Sequence, residues 1–238
     1  VLSRDAADLY QAHEKDGVFF NPWMVGPTGG FGRVLKWRLS HSADYSDEEK
    51  SFRPEFIPDL VQRIHSLGDR DFMVWIGHAT FLFRIDGEFW LTDPMLSDRA
   101  LLPKRLSKPA LEKQELASLD LPVNVLISHN HYDHLDEDTI RFLPEGSTIY
   151  APTGLGDYLE ELSGARVVEL DWWQSDDPGD VEVICLPAQH WSRRIGQSRN
   201  ETLWASFLLR TPRYSIYYGG DSGYFIRFRE FGRRFPGI

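Results

Sequence analysis

Apolar residues along this chain fall mainly in short runs of strand length that are separated by turn residues. Residues 72–85 are rich in apolar and β-branched side chains, Gly87 supplies a turn, and the apolar pattern returns at residues 89–92. The pattern predicts a hairpin that ends at Asp93 and Pro94. Further strands are predicted at residues 123–127, 147–151, 167–170, 181–186, 202–209 and 214–218.

Helix signals are fewer than strand signals. Pro54 and Pro58 precede a predicted helix that ends near Leu67, and Thr153 is placed to cap a helix that runs to Leu162. A last helix is predicted after Gly223. Its arginines are expected on the solvated side, namely Arg227, Arg229, Arg233 and Arg234.

Many strands with few helices favour an α/β architecture of mixed sheets packed under helices. No GxGxxG follows the first strand, so the sequence gives no support for a doubly wound dinucleotide fold. Residues 40–50 are strongly polar and residues 19–37 are rich in aromatics and glycine. We therefore expect residues 1–70 to be an N-terminal extension packed on a core domain of residues 71–238.

The composition of the chain argues against some classes of function. With 42% apolar and 13% aromatic residues among 238, the chain can form a sizeable core. The formal charge of −10 argues against nucleic acid as a partner, because phosphate binding depends on Lys and Arg. Cys185 is the single cysteine and lies in an apolar run, which predicts a buried, inert thiol. No apolar run is long enough to span a bilayer, so we expect a soluble or peripherally membrane-associated protein, with the cytoplasm favoured.

The strongest chemical signal is a cluster of metal-ligating side chains directly after a predicted buried strand. His129, His131, Asp133 and His134 fall within six residues, and a helix is expected to begin near Asp136. Imidazole nitrogens and carboxylate oxygens are suitable zinc ligands, and a tight turn can direct alternate side chains toward two neighbouring ions. The spacing predicts a metal site at this strand end.

Four more residues at strand ends are candidates for the same site. His190 and Asp221 each follow a predicted strand, and beside the cluster we expect both to be metal ligands. Asp93 is expected to orient a ligand imidazole rather than serve as a plain turn residue. His78 is either a residue that lines the pocket or a buried histidine bonded to backbone.

These residues together resemble the metallo-β-lactamase superfamily, and more narrowly the branch of the N-acyl-phosphatidylethanolamine-hydrolysing phospholipase D and its bacterial relatives. The resemblance rests on segments spread over nearly the whole chain: Asn21 to Trp23, WIGHAT from Trp75, LTDP from Leu91, SHNHYDHLD from Ser128, PAQHWSR from Pro187, LWAS from Leu203 and GDSGY from Gly220. Ser222 stands where the branch pattern has threonine, a change that keeps the hydroxyl.

The resemblance implies an αββα sandwich that holds two zinc ions, with manganese or iron as alternatives. It implies that His129, His131 and His190 bind one ion. Asp133 and His134 would then bind the other, with Asp221 bridging both. We expect Asp133 and Asp221 to take a direct part in catalysis.

One departure concerns the second metal, which in the superfamily takes a further histidine from the C-terminal half. No histidine follows His190, and the sequence given ends at Ile238. We therefore expect the sandwich to lack part of its C-terminal half and to leave an apolar sheet face uncovered. A missing C-terminal segment or an additional chain would complete it, and a homodimer is one form of the second option.

The implied function is a metal-dependent hydrolase that uses a metal-bound hydroxide, acting as a phosphodiesterase on a phospholipid-like substrate. A lactone or other ester hydrolase is the first alternative, and a non-catalytic metal-binding or scaffold protein is the second. Peripheral membrane contact is a further expectation. Two sets of residues are candidates for it, and each has a commoner alternative. The aromatic residues of the lead-in more often pack on the core, and basic clusters such as residues 193–194 and 227–234 are more often solvated faces that balance an acidic chain. The aromatic residues are Phe19, Phe20, Trp23, Phe31 and Trp37.

Overall fold

A computed structural model of the chain describes residues 5–24, 40, 45–119 and 121–238. Twelve strands are found in these ranges: β1 (Glu14–Lys15), β2 (Val18–Phe19), β3 (Phe72–Gly77), β4 (Thr80–Ile85), β5 (Glu88–Thr92), β6 (Val123–Leu126), β7 (Thr148–Pro152), β8 (Arg166–Leu170), β9 (Ser175–Asp176), β10 (Glu182–Pro187), β11 (Ala205–Arg210) and β12 (Ser215–Tyr218). The helices are α1 (Asp47–Ser51), α2 (Leu60–Ser66), α3 (Glu137–Ile140), α4 (Gly156–Ser163) and α5 (Arg227–Arg234), with 3₁₀ turns at Ala6–Tyr10 and Lys113–Leu119.

Two larger sheets organise the chain. The six-stranded sheet has the order β3-β4-β5-β6-β7-β8, with antiparallel pairing up to β5 and parallel pairing from β5 to β8. The four-stranded sheet has the order β12-β11-β10-β9 and is antiparallel. Parallel strands end at the same sheet edge, so the loops after β5 and β6 emerge side by side.

The apolar side chains form layers on both sides of each sheet. Phe83 and Trp90 of the first sheet share a core with Val183 and Phe207 of the second, so the two sheets pack face to face. On the far side of the first sheet, the core includes side chains of α2 and α4. On the far side of the second, Phe231 of α5 packs on strands β10 and β11. The result is the expected αββα sandwich, in which the six-stranded sheet is mixed and the four-stranded sheet is antiparallel.

The outer face of the second sheet differs from the sequence-based expectation. Ile184, Leu186 and Leu208 on this face are buried against α5 rather than left uncovered. The same helix corrects the expectation for Arg227, which is buried and not on the solvated side. Its guanidinium donates to the carbonyl oxygen of Pro187 and to the hydroxyl of Ser222, while its Nε has no partner among the described residues. Burial lowers the pKa of this side chain to about 10.

Two local predictions were wrong for identifiable reasons. Residues 72–85 form two strands instead of one, because the chain turns at His78, whose φ of 50° lies in the left-handed region. Thr153 does not cap a helix, since α4 begins at Gly156 after Leu155. The backbone N–H groups of Leu155 and Gly156 donate instead to Glu169 Oε1, each at 2.6 Å.

The N-terminal segment contributes directly to the core between the sheets. Leu9, Phe19 and Trp23 belong to it, and Trp23 stacks on Phe225 with ring centroids 4.4 Å apart. Phe31 and Trp37 lie outside the described residues, and the boundary at residue 70 stays a prediction. None of the helices in the described ranges is both long enough and apolar enough to cross a membrane.

Replacing Trp23 with alanine tests how much this packing contributes. The ring is fully buried, so Trp23→Ala should lower the free energy of unfolding by about 3–5 kcal/mol, measured by urea denaturation. Val18→Ala removes an exposed apolar side chain of the same segment and should change stability by less than about 0.5 kcal/mol. Equal effects of the two changes would contradict the packing described.

Candidate metal centre

The histidine cluster occupies the loop that follows β6 at the edge of the parallel strands. A tight turn shapes this loop, because the backbone N–H groups of His134 and Leu135 both donate to the carbonyl oxygen of His131, at 3.1 and 2.8 Å. The turn directs His129, His131, Asp133 and His134 toward one region. The helix expected near Asp136 follows, with Asp136 as the residue before α3.

Three imidazoles converge on one point. His131 Nδ1 lies 2.8 Å from His129 Nε2 and 3.2 Å from His190 Nε2. Ligand nitrogens around a tetrahedral zinc ion lie about 3.3 Å apart, since each Zn–N bond is about 2.0–2.1 Å. The first predicted ligand set is therefore brought together by the fold, with geometry close to what zinc requires.

The second predicted set lies beside the first. His134 Nε2 is 3.3 Å from Asp221 Oδ1 and 3.8 Å from Asp133 Oδ2. His78 joins this group, because its Nε2 lies 3.2 Å from Asp133 Oδ2. Each of the three residues His78, Asp133 and His134 offers one ligand atom, and these atoms lie within 4.8 Å of one another. The structure supports the first interpretation of His78, as a residue that lines the pocket, because its side chain is partly exposed.

Asp93 is buried beneath the cluster and accepts hydrogen bonds from several sides. His134 Nδ1 lies 2.6 Å from Asp93 Oδ2, and the backbone N–H of Ser128 donates to Oδ1 at 2.6 Å. The hydroxyls of Ser128 and Tyr218 donate to Oδ2 as well. Asp93 thus orients His134, as the sequence predicted, while the roles of Ser128 and Tyr218 had no sequence signal.

This network also selects the ring tautomers. A carboxylate only accepts, so Nδ1 of His134 carries a hydrogen, and Nε2 is the nitrogen left to bind a cation in place of its own proton. Ser128 gives its hydroxyl hydrogen to Asp93, so its oxygen accepts from His129 Nδ1 at 2.8 Å. His129 Nε2 is then also free to bind a cation. Such a hydrogen bond to the second ring nitrogen is the usual companion of a metal-bound histidine.

His190 and Asp221 are held by a shared set of loop contacts. The Ser222 hydroxyl accepts from the backbone N–H of Gln189 at 2.8 Å, so the hydroxyl kept at this position connects the two loops. Asn21 Nδ2 donates to the carbonyl oxygen of His190 at 3.0 Å. A Cβ atom at Gly220 would lie 2.7 Å from Ser128 Cβ, so glycine is required for Asp221 to come this close.

Arg194 is a structural residue of the site that the sequence did not reveal. It is buried, although it was expected on a solvated basic face. Its guanidinium donates to the carbonyl oxygens of Asn130 and Leu135 at 2.9 and 3.0 Å, and to Glu137 Oε1 at 2.7 Å. The arginine therefore fixes both ends of the histidine loop.

The protonation states suit cation binding. Burial lowers the pKa of His131 to about 4 and that of His190 to about 4, and burial also holds the pKa of His129 well below its usual value. These imidazoles are neutral at pH 7, which is the ligating form. The hydrogen bond from His78 lowers the pKa of Asp133 to about 2, and His134 lowers that of Asp221.

His134 differs from the other three imidazoles. Burial opposes its charged form, but the Asp93 and Asp221 carboxylates outweigh burial and raise its pKa to about 10. Its Nε2 is buried, and no hydrogen-bond partner for it is found in the described part of the chain; the same holds for His131 Nε2. The Asp93 and Asp221 carboxylates favour a positive charge beside His134 Nε2. The donor atoms of Asp133, His134 and Asp221 therefore fit a second cation.

A cavity of about 810 Å³ borders the cluster and gives it access to solvent. His78, His131 and Asp133 form part of its wall. Trp191 lies beside them, with its ring 4.2 Å from that of His131. The arrangement places two candidate donor sets beside a cavity large enough for a small molecule or part of a lipid.

Comparison with known proteins agrees with this geometry. The family model of the β-lactamase superfamily domain matches residues 90–238, which include all six predicted metal ligands. The chain belongs to the metallo-β-lactamase superfamily. Since the model covers more than half of the chain, this membership does not rest on the histidine motif alone.

Relatives within the metallo-β-lactamase superfamily include an uncharacterized protein of Mycobacterium tuberculosis, 36% identical over 98% of this chain and 65% of its own length. N-acyl-phosphatidylethanolamine-hydrolyzing phospholipase D 1 of Caenorhabditis elegans is 32% identical over 91% of this chain and 67% of its own length. The chain thus spans about two thirds of the length of these relatives.

Among solved structures, the diiron β-hydroxylase CmlA of Streptomyces venezuelae has a similar fold. It gives a TM-score of 0.54 at 24% identity, over 71% of this chain and 33% of its own. This similarity supports the metallo-β-lactamase fold.

Removing the Asp93 carboxylate tests its part in the centre. Asp93→Asn cannot accept all the hydrogen bonds that Asp93 accepts, so it should weaken metal binding by about 10–100-fold, measured by competition with a chromophoric chelator. Asp69→Asn makes the same chemical change at a fully exposed carboxylate and should leave affinity unchanged. An Asp93→Asn protein with unaltered affinity would refute the orienting role.

The lowered histidine pKa values predict acid sensitivity of the metal-free protein. Unfolded histidines take up protons near pH 6.5, whereas folded His131 and His190 do so near pH 4. The unfolded state therefore binds more protons between these values, and the free energy of unfolding should fall as the pH is lowered through this window. Urea denaturation of chelator-treated protein measures the effect. His190→Gln should show a smaller loss, and a pH-independent stability of the parent protein would contradict the prediction.

Proposed function

We propose that this chain carries the two-metal centre of a hydrolase that cleaves a phosphodiester bond in a phospholipid-like substrate. The observation that carries the proposal is the convergence of two donor sets on adjacent points: His129, His131 and His190 on one, Asp133 and His134 on the other. Asp221 lies beside His134 of the second set, and its proposed role is to bridge the two cations. Adjacent cation sites of this kind suit displacement reactions in which charge develops on two oxygens.

Zinc is the proposed metal, because three neutral imidazoles with carboxylates are ligands that zinc favours. Manganese and iron remain alternatives, since the same donor types accept them. The similar fold of a protein named as a diiron β-hydroxylase supports keeping iron among them.

Two bound divalent cations would supply a hydroxide nucleophile at neutral pH by lowering the pKa of water. The residues of the chain prepare the site for that chemistry. Asp93 keeps His134 in the tautomer that leaves Nε2 free, and Ser128 does the same for His129. The hydrogen bond from His78 Nε2 lowers the pKa of Asp133 to about 2, so this carboxylate is ionised at neutral pH.

The cavity wall supports a substrate with an apolar part and an anionic part. Leu102, Trp191 and Ile195 contribute apolar surface, while Lys104 and Arg105 contribute positive charge. A phosphodiester with an attached acyl chain combines both properties. The relative of C. elegans named as an N-acyl-phosphatidylethanolamine-hydrolyzing phospholipase supports the same substrate class.

Metal analysis combined with three hydrolysis assays tests the proposal. We expect two metal ions per chain, and activity on a phosphodiester that exceeds activity on a lactone and on a β-lactam. His131→Ala removes a ligand of the first cation. Its phosphodiesterase activity should fall by more than about 100-fold, because loss of a residue that merely orients a ligand already costs about 10–100-fold.

His65→Ala is the matched control, since His65 is an exposed histidine on α2. It should retain the parent activity and metal content. Activity confined to the lactone would replace the phosphodiesterase with the ester-hydrolase alternative. One metal ion or none, with no hydrolysis of any substrate, would favour the scaffold alternative.

A further inference from the structure

A group of large apolar side chains projects into solvent beside the cavity. Leu101, Leu102, Leu106 and Ile195 are exposed to 48%, 78%, 82% and 75%. Leu101, Leu102 and Ile195 also line the cavity that contains His131 and Asp133. We name these four residues the leucine surface. Exposed apolar residues grouped around the mouth of a site are a common mark of an interaction surface.

The loop that carries these leucines has a defined conformation. Arg99 and Lys104 form an isolated antiparallel bridge, and the backbone N–H of Ala100 donates to the carbonyl oxygen of Pro103 at 3.0 Å. Leu101 and Leu102 therefore occupy the tip of a tight turn. Leu101 has a φ of 60°, a left-handed conformation that is unfavourable for a residue with a Cβ atom.

Positive charge surrounds the leucine surface although the chain as a whole has a formal charge of −10. The exposed basic residues are Arg99, Lys104, Lys108 and Arg193, and the partly buried Arg105 lies among them. The acidic residues of the cavity wall are Asp98 and Asp133, and Glu112, Asp136, Glu137 and Asp138 line the adjoining cavity. Basic side chains around exposed leucines complement a surface of anionic headgroups over an apolar interior.

The other surfaces that the sequence suggested are partly buried or lie away from the cavity. Phe19 and Trp23 of the aromatic lead-in are buried in the core. Arg194 and Arg227 are buried as well, and both are used in internal hydrogen bonds. The exposed residues of the second cluster, Arg229, Arg233 and Arg234, do not line the cavity. The leucine surface is therefore the one that would bring a lipid to the cavity mouth.

We propose that the leucine surface and its basic rim dock the cavity onto an anionic lipid bilayer. Leu102 and Leu106 enter the interface between headgroups and acyl chains, and Lys104 and Arg193 contact the headgroups. The cavity mouth then faces the bilayer, so an amphiphile can enter without crossing bulk water. Docking depends on surface apolarity and charge, and it does not depend on which bond the metal centre cleaves.

Cosedimentation with vesicles tests the docking separately from hydrolysis. The full 238-residue chain, treated with chelator, should pellet with vesicles of phosphatidylcholine and phosphatidylglycerol. It should pellet less with phosphatidylcholine alone, and less at high salt. The double variant Leu102→Glu, Leu106→Glu should lower the partition coefficient about tenfold or more. Lys104→Glu, Arg193→Glu should lower binding to the anionic vesicles by a similar factor, since each basic residue contributes about fivefold.

The matched control is Phe52→Glu, Phe56→Glu, which makes the same change at two exposed aromatic residues away from the cavity. It should bind vesicles like the parent chain. Circular dichroism checks that each variant is folded. The proposal is overturned if the parent chain stays in the supernatant with anionic vesicles, or if the leucine variant pellets as the parent does. It is also overturned if the leucine variant only dissociates a dimer, which would make this surface a contact between copies.

Discussion

The site depends above all on one buried carboxylate, that of Asp93. A carboxylate without partners is costly in a protein interior, and Asp93 meets that cost with hydrogen bonds from Ser128, His134 and Tyr218. Asp93 follows β5, Ser128 lies just beyond β6, and Tyr218 ends β12 of the other sheet. One side chain thereby joins the two sheets at the edge where the ligands emerge, and it sets the ring orientation of His134 directly and of His129 through Ser128.

The local part of this arrangement was predictable because its signal is contained in a few consecutive residues. The spacing of ligand residues from His129 to His134 is visible in the sequence itself. His190 and Asp221 were found because each follows a predicted strand. Tyr218 could not be found in this way, since it lies 125 residues from Asp93 and nothing near it marks a carboxylate partner. Most of the strands were predictable for a similar reason, as buried strands appear as short apolar runs. The turn at His78 escaped because it interrupts such a run without a polar segment.

The buried arginines mark a second limit of sequence-based reasoning. Arg194 and Arg227 were both expected at the surface, yet each is buried and donates to at least one backbone carbonyl oxygen. Carbonyl groups are present at every residue, so the sequence carries no mark that distinguishes the ones an arginine will reach. This changes the distribution of positive charge at the surface. Arg194 and Arg227 no longer contribute to it, so the basic residues near Lys104 make up a larger share of the exposed positive charge.

The position of Arg227 has a consequence for motion. Its guanidinium connects α5 to Pro187 and Ser222, and these residues precede His190 and follow Asp221. Unwinding of α5 would loosen the two loops that carry His190 and Asp221, so opening of this helix and binding of a cation would be linked equilibria. A cation bound there would stabilise the closed helix, and amide hydrogen exchange in α5 would report on a centre that the helix does not touch.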